Sequence, residues 1–122
     1  MSSENLHENP ETLGTDVIDQ HRATVSIIEE LEAVDWYNQR AKATVDDELR
    51  RILEHNRDEE KEHMAMVLEW LRRRDAVLDA NLKQYLFRTE PVLEIEEATL
   101  AGGTGAGSGD LGIGDLRERV TK

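Results

Sequence analysis

Apolar residues recur every three or four positions along two long stretches of this chain, separated by a short polar break. In the first stretch Val17, His21, Thr24, Ile27 or Ile28, Leu31, Val34 and Tyr37 keep that spacing, which is the repeat of one face of an α-helix. A helix over residues 15–42 follows. Thr15 is placed to cap it, Asp16 suits the positive end of the helix dipole, and Arg40 and Lys42 suit the negative end. The second stretch carries Leu49, Ile52, Leu53, Asn56, Glu60, His63, Val67, Trp70 and Leu71 and predicts a helix over residues 46–74. Thr44 with Asp47 resembles a capping box at its start, and Arg72, Arg73 and Arg74 fit its end. Leu78, Leu82, Tyr85 and Leu86 predict a shorter third helix over 76–89, which Pro91 breaks off.

The fold class expected is all-α: an antiparallel two-helix hairpin plus a short C-terminal helix. Residues 1–14 are polar, with Pro10 and Gly14, and read as a mobile tail. Residues 15–97 hold nearly all the large apolar side chains. Residues 98–110 are rich in glycine and read as a flexible linker; the last segment, 111–122, turns apolar again at its start. Two long helices and one short one make a thin core, and Trp36, Trp70, Tyr85, Leu86 and Phe87 need a partner to cover them. An obligate homo-oligomer is therefore expected.

Composition narrows the function. The formal net charge is −12, from 27 acidic and 15 basic residues, so nucleic acid phosphates would be repelled and cations attracted. The chain has no cysteine, which excludes disulfides and thiolate metal sites and fits the cytoplasm. No apolar run approaches the ~20 residues needed to span a bilayer, and the polar N-terminus does not read as a secretory signal.

One feature of the second helix breaks its own pattern. Between Leu53 and Val67 the face that should be buried carries Asn56, Glu60 and His63. A buried charge costs several kcal/mol unless it is paired or binds a metal. Glu60 and His63 stand three apart and project from the same side. A Glu-x-x-His on one helix, with a Glu from its neighbour, is the ligand set of di-iron bundles. Carboxylates can bridge two metals and take up charge, while imidazole supplies a neutral nitrogen suited to iron. On the first helix Glu30 is the best candidate, because Ile27, Val34 and Tyr37 lie on the same surface. Glu29 and Glu32 are its rivals, pointing roughly 100° and 200° away. A complete di-iron site needs two single glutamates and two Glu-x-x-His pairs, whereas this reading finds one of each. Two chains would have to meet face to face. His55, four residues before Glu59, is read as its ion-pair partner, and Met64, Met66, Trp36 and Trp70 as packing residues.

Two blocks, HRATVSIIEELEAVDWYNQR over residues 21–40 and HNRDEEKEHMAMVLEWLRRRD over 55–75, resemble the encapsulated ferritins, with weaker similarity through Tyr85 to Phe87. The resemblance implies a half-ferritin that dimerises into a four-helix bundle, assembles as a ring of ten, and oxidises Fe(II) to Fe(III) with oxygen. By position it implies metal ligation by Glu30, Glu60 and His63, with Glu60 and Tyr37 serving the catalytic centre. Glu29, Glu32 and Trp36 fall at secondary metal positions on the approach to it. Iron is the metal implied, with calcium, zinc or manganese as ions that could occupy the site in vitro. Leu111, Gly112, Ile113, Gly114 and Leu116 resemble the targeting peptides that load cargo into encapsulin shells, which implies a protein enclosed in such a shell in the cytoplasm. Two alternatives stay open: a non-catalytic helical cargo or metal-binding protein, and a di-metal oxidase or peroxidase acting on another substrate.

Overall fold

A computed structural model describes residues 5–102, and these contain four α-helices and no strand: α1 (Pro10–Ala43), α2 (Asp47–Arg72), α3 (Ala76–Tyr85) and α4 (Val92–Gly102). The segment expected to carry Leu111, Gly112, Ile113, Gly114 and Leu116 lies outside the described residues, as does the linker beyond residue 102. No helix among the described residues is long and apolar enough to cross a membrane.

The first helix begins before Thr15, inside the stretch expected as a tail. Asn9 caps it by accepting from the Glu11 N–H at 2.8 Å, and Pro10 occupies the first turn, where its missing N–H and fixed φ cost nothing. Gly14 interrupts it at φ 78°, ψ 169°, a conformation that a side chain would strain, and helix resumes at Thr15.

Helix α2 starts one residue later than expected, and its cap is not Thr44. Asp46 accepts from the Leu49 N–H at 2.8 Å, while the Thr44 hydroxyl turns back to donate to the Arg40 carbonyl at 2.6 Å. Thr44 thus finishes α1, and its backbone N–H reaches the Ala41 carbonyl at 3.3 Å. With a full carboxylate at Asp46, a box built from Thr44 and Asp47 has no donor left to serve.

The chain forms two compact units, residues 1–71 and 72–122. In the first, α1 and α2 run antiparallel: Asn38 meets Arg57 near the connecting loop, and Glu30 meets His63 further from it. In the second, Asp75 caps α3 through the Leu78 N–H at 2.9 Å, and Arg72 and Lys83 both pair with Asp79. Helix α3 stops at Tyr85, short of Thr89, as Phe87 adopts a left-handed φ of 61°. The expected break at Pro91 is also a beginning. Its carbonyl accepts from Glu94 and Ile95 at 3.0 and 3.2 Å, opening α4, a helix the sequence reading did not anticipate; residues 98–102 of the expected linker belong to it. Gln84 donates to the Thr99 hydroxyl at 3.0 Å, tying α3 to α4.

Among the described residues only Ala41 and Ile95 are buried apolar side chains, at 2% and 3% exposure. Val17, Leu31, Leu49 and Ile52 from the helical stripes stay about half exposed, and Phe87 fully so. A core this small cannot offset the conformational entropy lost on folding.

Moving the cap from Thr44 to Asp46 has a measurable consequence. Asp46→Ala should lower unfolding free energy by about 1 kcal/mol, measured by denaturant titration; equal or greater loss in Thr44→Ala would return the cap to Thr44.

Candidate metal centre

Glu30 projects from the middle of α1 toward α2, and Glu60 and His63 project back from successive turns of α2. One oxygen of each glutamate and a ring nitrogen of His63 lie within 4.8 Å of one another. His63 Nδ1 is 3.3 Å from Glu60 Oε1 and 3.8 Å from Glu30 Oε1. All three side chains are half-buried, Glu30 and Glu60 at 25% and 24% exposure and His63 at 42%.

The Glu30 and Glu60 carboxyls face each other, a contact that is favourable when Glu30 holds its proton and repulsive when both are ionised. The bond to Glu60 raises the Glu30 carboxyl above its ordinary range; burial and the Glu60 charge raise it further, against the lowering effect of His63. Accepting that bond holds Glu60 below its ordinary range, with help from His63 and against burial. Two carboxyl oxygens and an imidazole nitrogen converge here. A divalent cation would displace the proton and meet two carboxylates and a neutral nitrogen, a donor set suited to iron, manganese or zinc.

The far side of the imidazole is also engaged. His63 Nε2 lies 3.9 Å from Glu59 Oε1, and Glu59 Oε2 lies 3.8 Å from His55 Nε2. Both distances lie beyond hydrogen-bond range. Glu59 thus stands near the second nitrogen without a hydrogen bond to it, while Nδ1 faces Glu30 and Glu60. The pairing of His55 with Glu59 was legible from their spacing. The approach of Glu59 to His63 repeats that four-residue interval and could have been read the same way.

The other expected residues are not drawn into this cluster. Glu29, Glu32 and Trp36 are exposed on α1; the charge of Glu29 nevertheless contributes to the rise in the Glu30 carboxyl. Trp36 lines a shallow recess with Gln39 and Arg40. Tyr37 is half-buried and lies under the Arg40 guanidinium, 5.5 Å from ring centroid to carbon, a cation–π arrangement.

Comparison with known proteins now adds to this geometry. Residues 5–89 match the model of a family described as EncFtn-like. The encapsulated ferritin-like protein of Rhodospirillum rubrum is 52% identical over 127 aligned positions, covering 96% of this chain and 91% of its own. A ferritin-like protein of Thermotoga maritima is 56% identical over 95 positions, covering 78% and 82%. Among solved structures, protein ne0167 from Nitrosomonas europaea superposes with a TM-score of 0.69 at 55% identity, over 71% of this chain and 96% of that one.

The raised Glu30 carboxyl sets a pH dependence. In the pH window between the ordinary carboxylate range and the raised Glu30 value, the folded chain binds more protons than the unfolded one, so stability falls as pH rises through that window. Above it the metal-free pair repels itself. Glu30→Gln should therefore raise the melting temperature of the metal-free protein at neutral pH while weakening Zn(II) binding at least tenfold. A lower melting temperature would contradict the repulsion.

Proposed function

The chain belongs to the EncFtn-like family, and from that membership we propose that it is a ferroxidase, oxidising Fe(II) to Fe(III) with oxygen at a di-iron centre shared by two copies. The observation that carries the proposal is the convergence of Glu30, Glu60 and His63 from α1 and α2 within 4.8 Å. Membership of a ferritin-like family supports an iron-related role; it is the pairing of two carboxylates with one imidazole that suits oxidation.

One copy supplies three side chains, enough to hold one metal ion but not the two glutamates and two Glu-x-x-His pairs of a di-iron bundle. A second copy doubles the set. The half-exposed apolar stripes of α1 and α2 support the same pairing, because face-to-face contact would cover Leu31, Leu49 and Ile52 and complete the bundle. Fe(II) is the substrate. Glu60, next to both Glu30 and His63, would bridge, Glu30 would bind terminally, and His63 would bind through Nδ1. Each of two irons gives up one electron to oxygen, and the carboxylates accommodate the added positive charge. Glu29, Glu32 and Trp36 would serve the approach of iron, Tyr37 the surroundings of the centre, and the acidic surface would raise the local cation concentration. Assembly of ten subunits and enclosure in an encapsulin shell through residues 111–117 are part of this reading; the name of the R. rubrum relative supports the second.

Aerobic Fe(II) added to the purified protein should be oxidised well above the buffer rate, without any organic substrate. Glu60→Ala should reduce that rate about a hundredfold and His63→Ala less. Equal rates in protein and buffer would leave a metal-binding cargo protein, and oxidation requiring peroxide or an organic co-substrate would leave a different di-metal oxidase. Because the ligands come from both chains, Fe(II) should also shift the mass distribution toward larger assemblies, read by native mass spectrometry without oxygen. A distribution indifferent to the metal would argue against a shared site.

A further inference from the structure

Arg57 reaches across from α2 to α1. Its Nη1 donates to Asn38 Oδ1 at 3.0 Å, while its Nε and Nη2 form a fork on Asp58, to Oδ1 at 3.0 Å and Oδ2 at 3.5 Å. Asp58 thus fixes the plane of the guanidinium and leaves one amino group aimed at the other helix. Arg57 is three residues before Glu60, one turn away along α2. Asn38 follows Glu30 by two turns of α1, about 12 Å at 1.5 Å per residue.

The position of this contact gives it weight. At the loop end the hairpin is held by a three-residue connection, residues 44–46, with Val45 96% exposed, and by Ala41, the sole buried apolar side chain described in the first unit. At the metal end Glu30, Glu60 and His63 converge within 4.8 Å, and two acidic side chains do not by themselves hold their helices in register. The apolar side chains near the two levels, Leu31 and Ile52, are half exposed and slide without directional preference. Arg57 to Asn38 is a directional contact between the two ends. A slip of α2 along α1 by one residue would move Glu60 and His63 by about 1.5 Å relative to Glu30, and misplacements of about 1 Å can cost a hundredfold in rate.

We infer that Asp58, Arg57 and Asn38 form a register brace that positions Glu60 and His63 opposite Glu30. They are positioning residues, acting through the helix register without touching the metal. The inference rests on the metal-site reading above and deepens it.

The test compares the full-length protein with Asn38→Leu, Arg57→Met, their double variant, Asn38→Asp and, as reference, Glu60→Ala. Two readouts apply: the aerobic Fe(II) oxidation rate and the visible spectrum of Co(II) bound without oxygen. Each single disruption should slow oxidation roughly tenfold and change the shape of the Co(II) bands, not merely the amount of Co(II) needed, with helicity by circular dichroism retained. The double variant should be no worse than either single, because both break one contact. Asn38→Asp, which still accepts from Arg57, should oxidise within about twofold of the unaltered protein. Arg57→Met keeps a long unbranched stem of high helix propensity, so it decides the matter should Asn38→Leu lose helicity. Unchanged rate and spectrum in the disruptions, or losses that multiply in the double variant, would overturn the brace while a dead Glu60→Ala keeps the site. An active Glu60→Ala would overturn the site itself.

Discussion

Two glutamates on neighbouring helices, brought together with a histidine within 4.8 Å, set the terms for the first unit of this structure. Ordinary packing would never place Glu30 against Glu60, because two half-buried carboxylates repel unless something positive stands between them. In the metal-free chain a proton on the raised Glu30 carboxyl can fill that role. A divalent cation fills it better, since it can satisfy both oxygens and the imidazole together. The arrangement therefore sacrifices stability in the free chain for a site prepared to bind metal, a common cost of functional clusters.

The same logic runs through the rest of the hairpin. Glu59 stands near the outer nitrogen of His63, and the ring presents Nδ1 inward. Arg57, oriented by Asp58, ties α2 to α1 at Asn38. None of these contacts is strong by itself; exposed ion pairs contribute about 0–1 kcal/mol. Their value lies in direction. With two apolar side chains buried among the described residues, geometry at the centre depends on polar contacts that specify an angle and a register. The uncovered stripes of Leu31, Leu49 and Ile52 leave bulk stabilisation to another surface, and a second copy is the occupant that would also double the ligand set.

Much of this was legible in the chain itself. The apolar repeat located the three predicted helices to within a few residues, because helical periodicity is a local property. The intrusion of Glu60 and His63 into an apolar face identified the candidate ligands, and Glu30 was singled out from Glu29 and Glu32 by its helical neighbours alone. What was misread was also local but ambiguous. Pro91 ends one element and begins another, and a proline's local effect marks the break without showing that a helix, α4, follows it. Thr44 and Asp46 are both competent caps; the hydroxyl was chosen where the carboxylate serves, because Thr44 was already committed to the carbonyl of Arg40.

The sequence by itself determined α1 to α3, the charge and the face on which each ligand stands, since a residue's direction from its own helix follows from about 100° of rotation per position. Only the tertiary structure decided how far α2 slides along α1. It thereby decided that Glu30 meets Glu60 and His63, that Glu59 takes the outer side of the imidazole, and that Arg57 finds Asn38 nineteen positions away. Periodicity carries no information about register between two helices. That is set by the loop joining them and by contacts between residues far apart in the chain, whose partners do not exist until the hairpin closes.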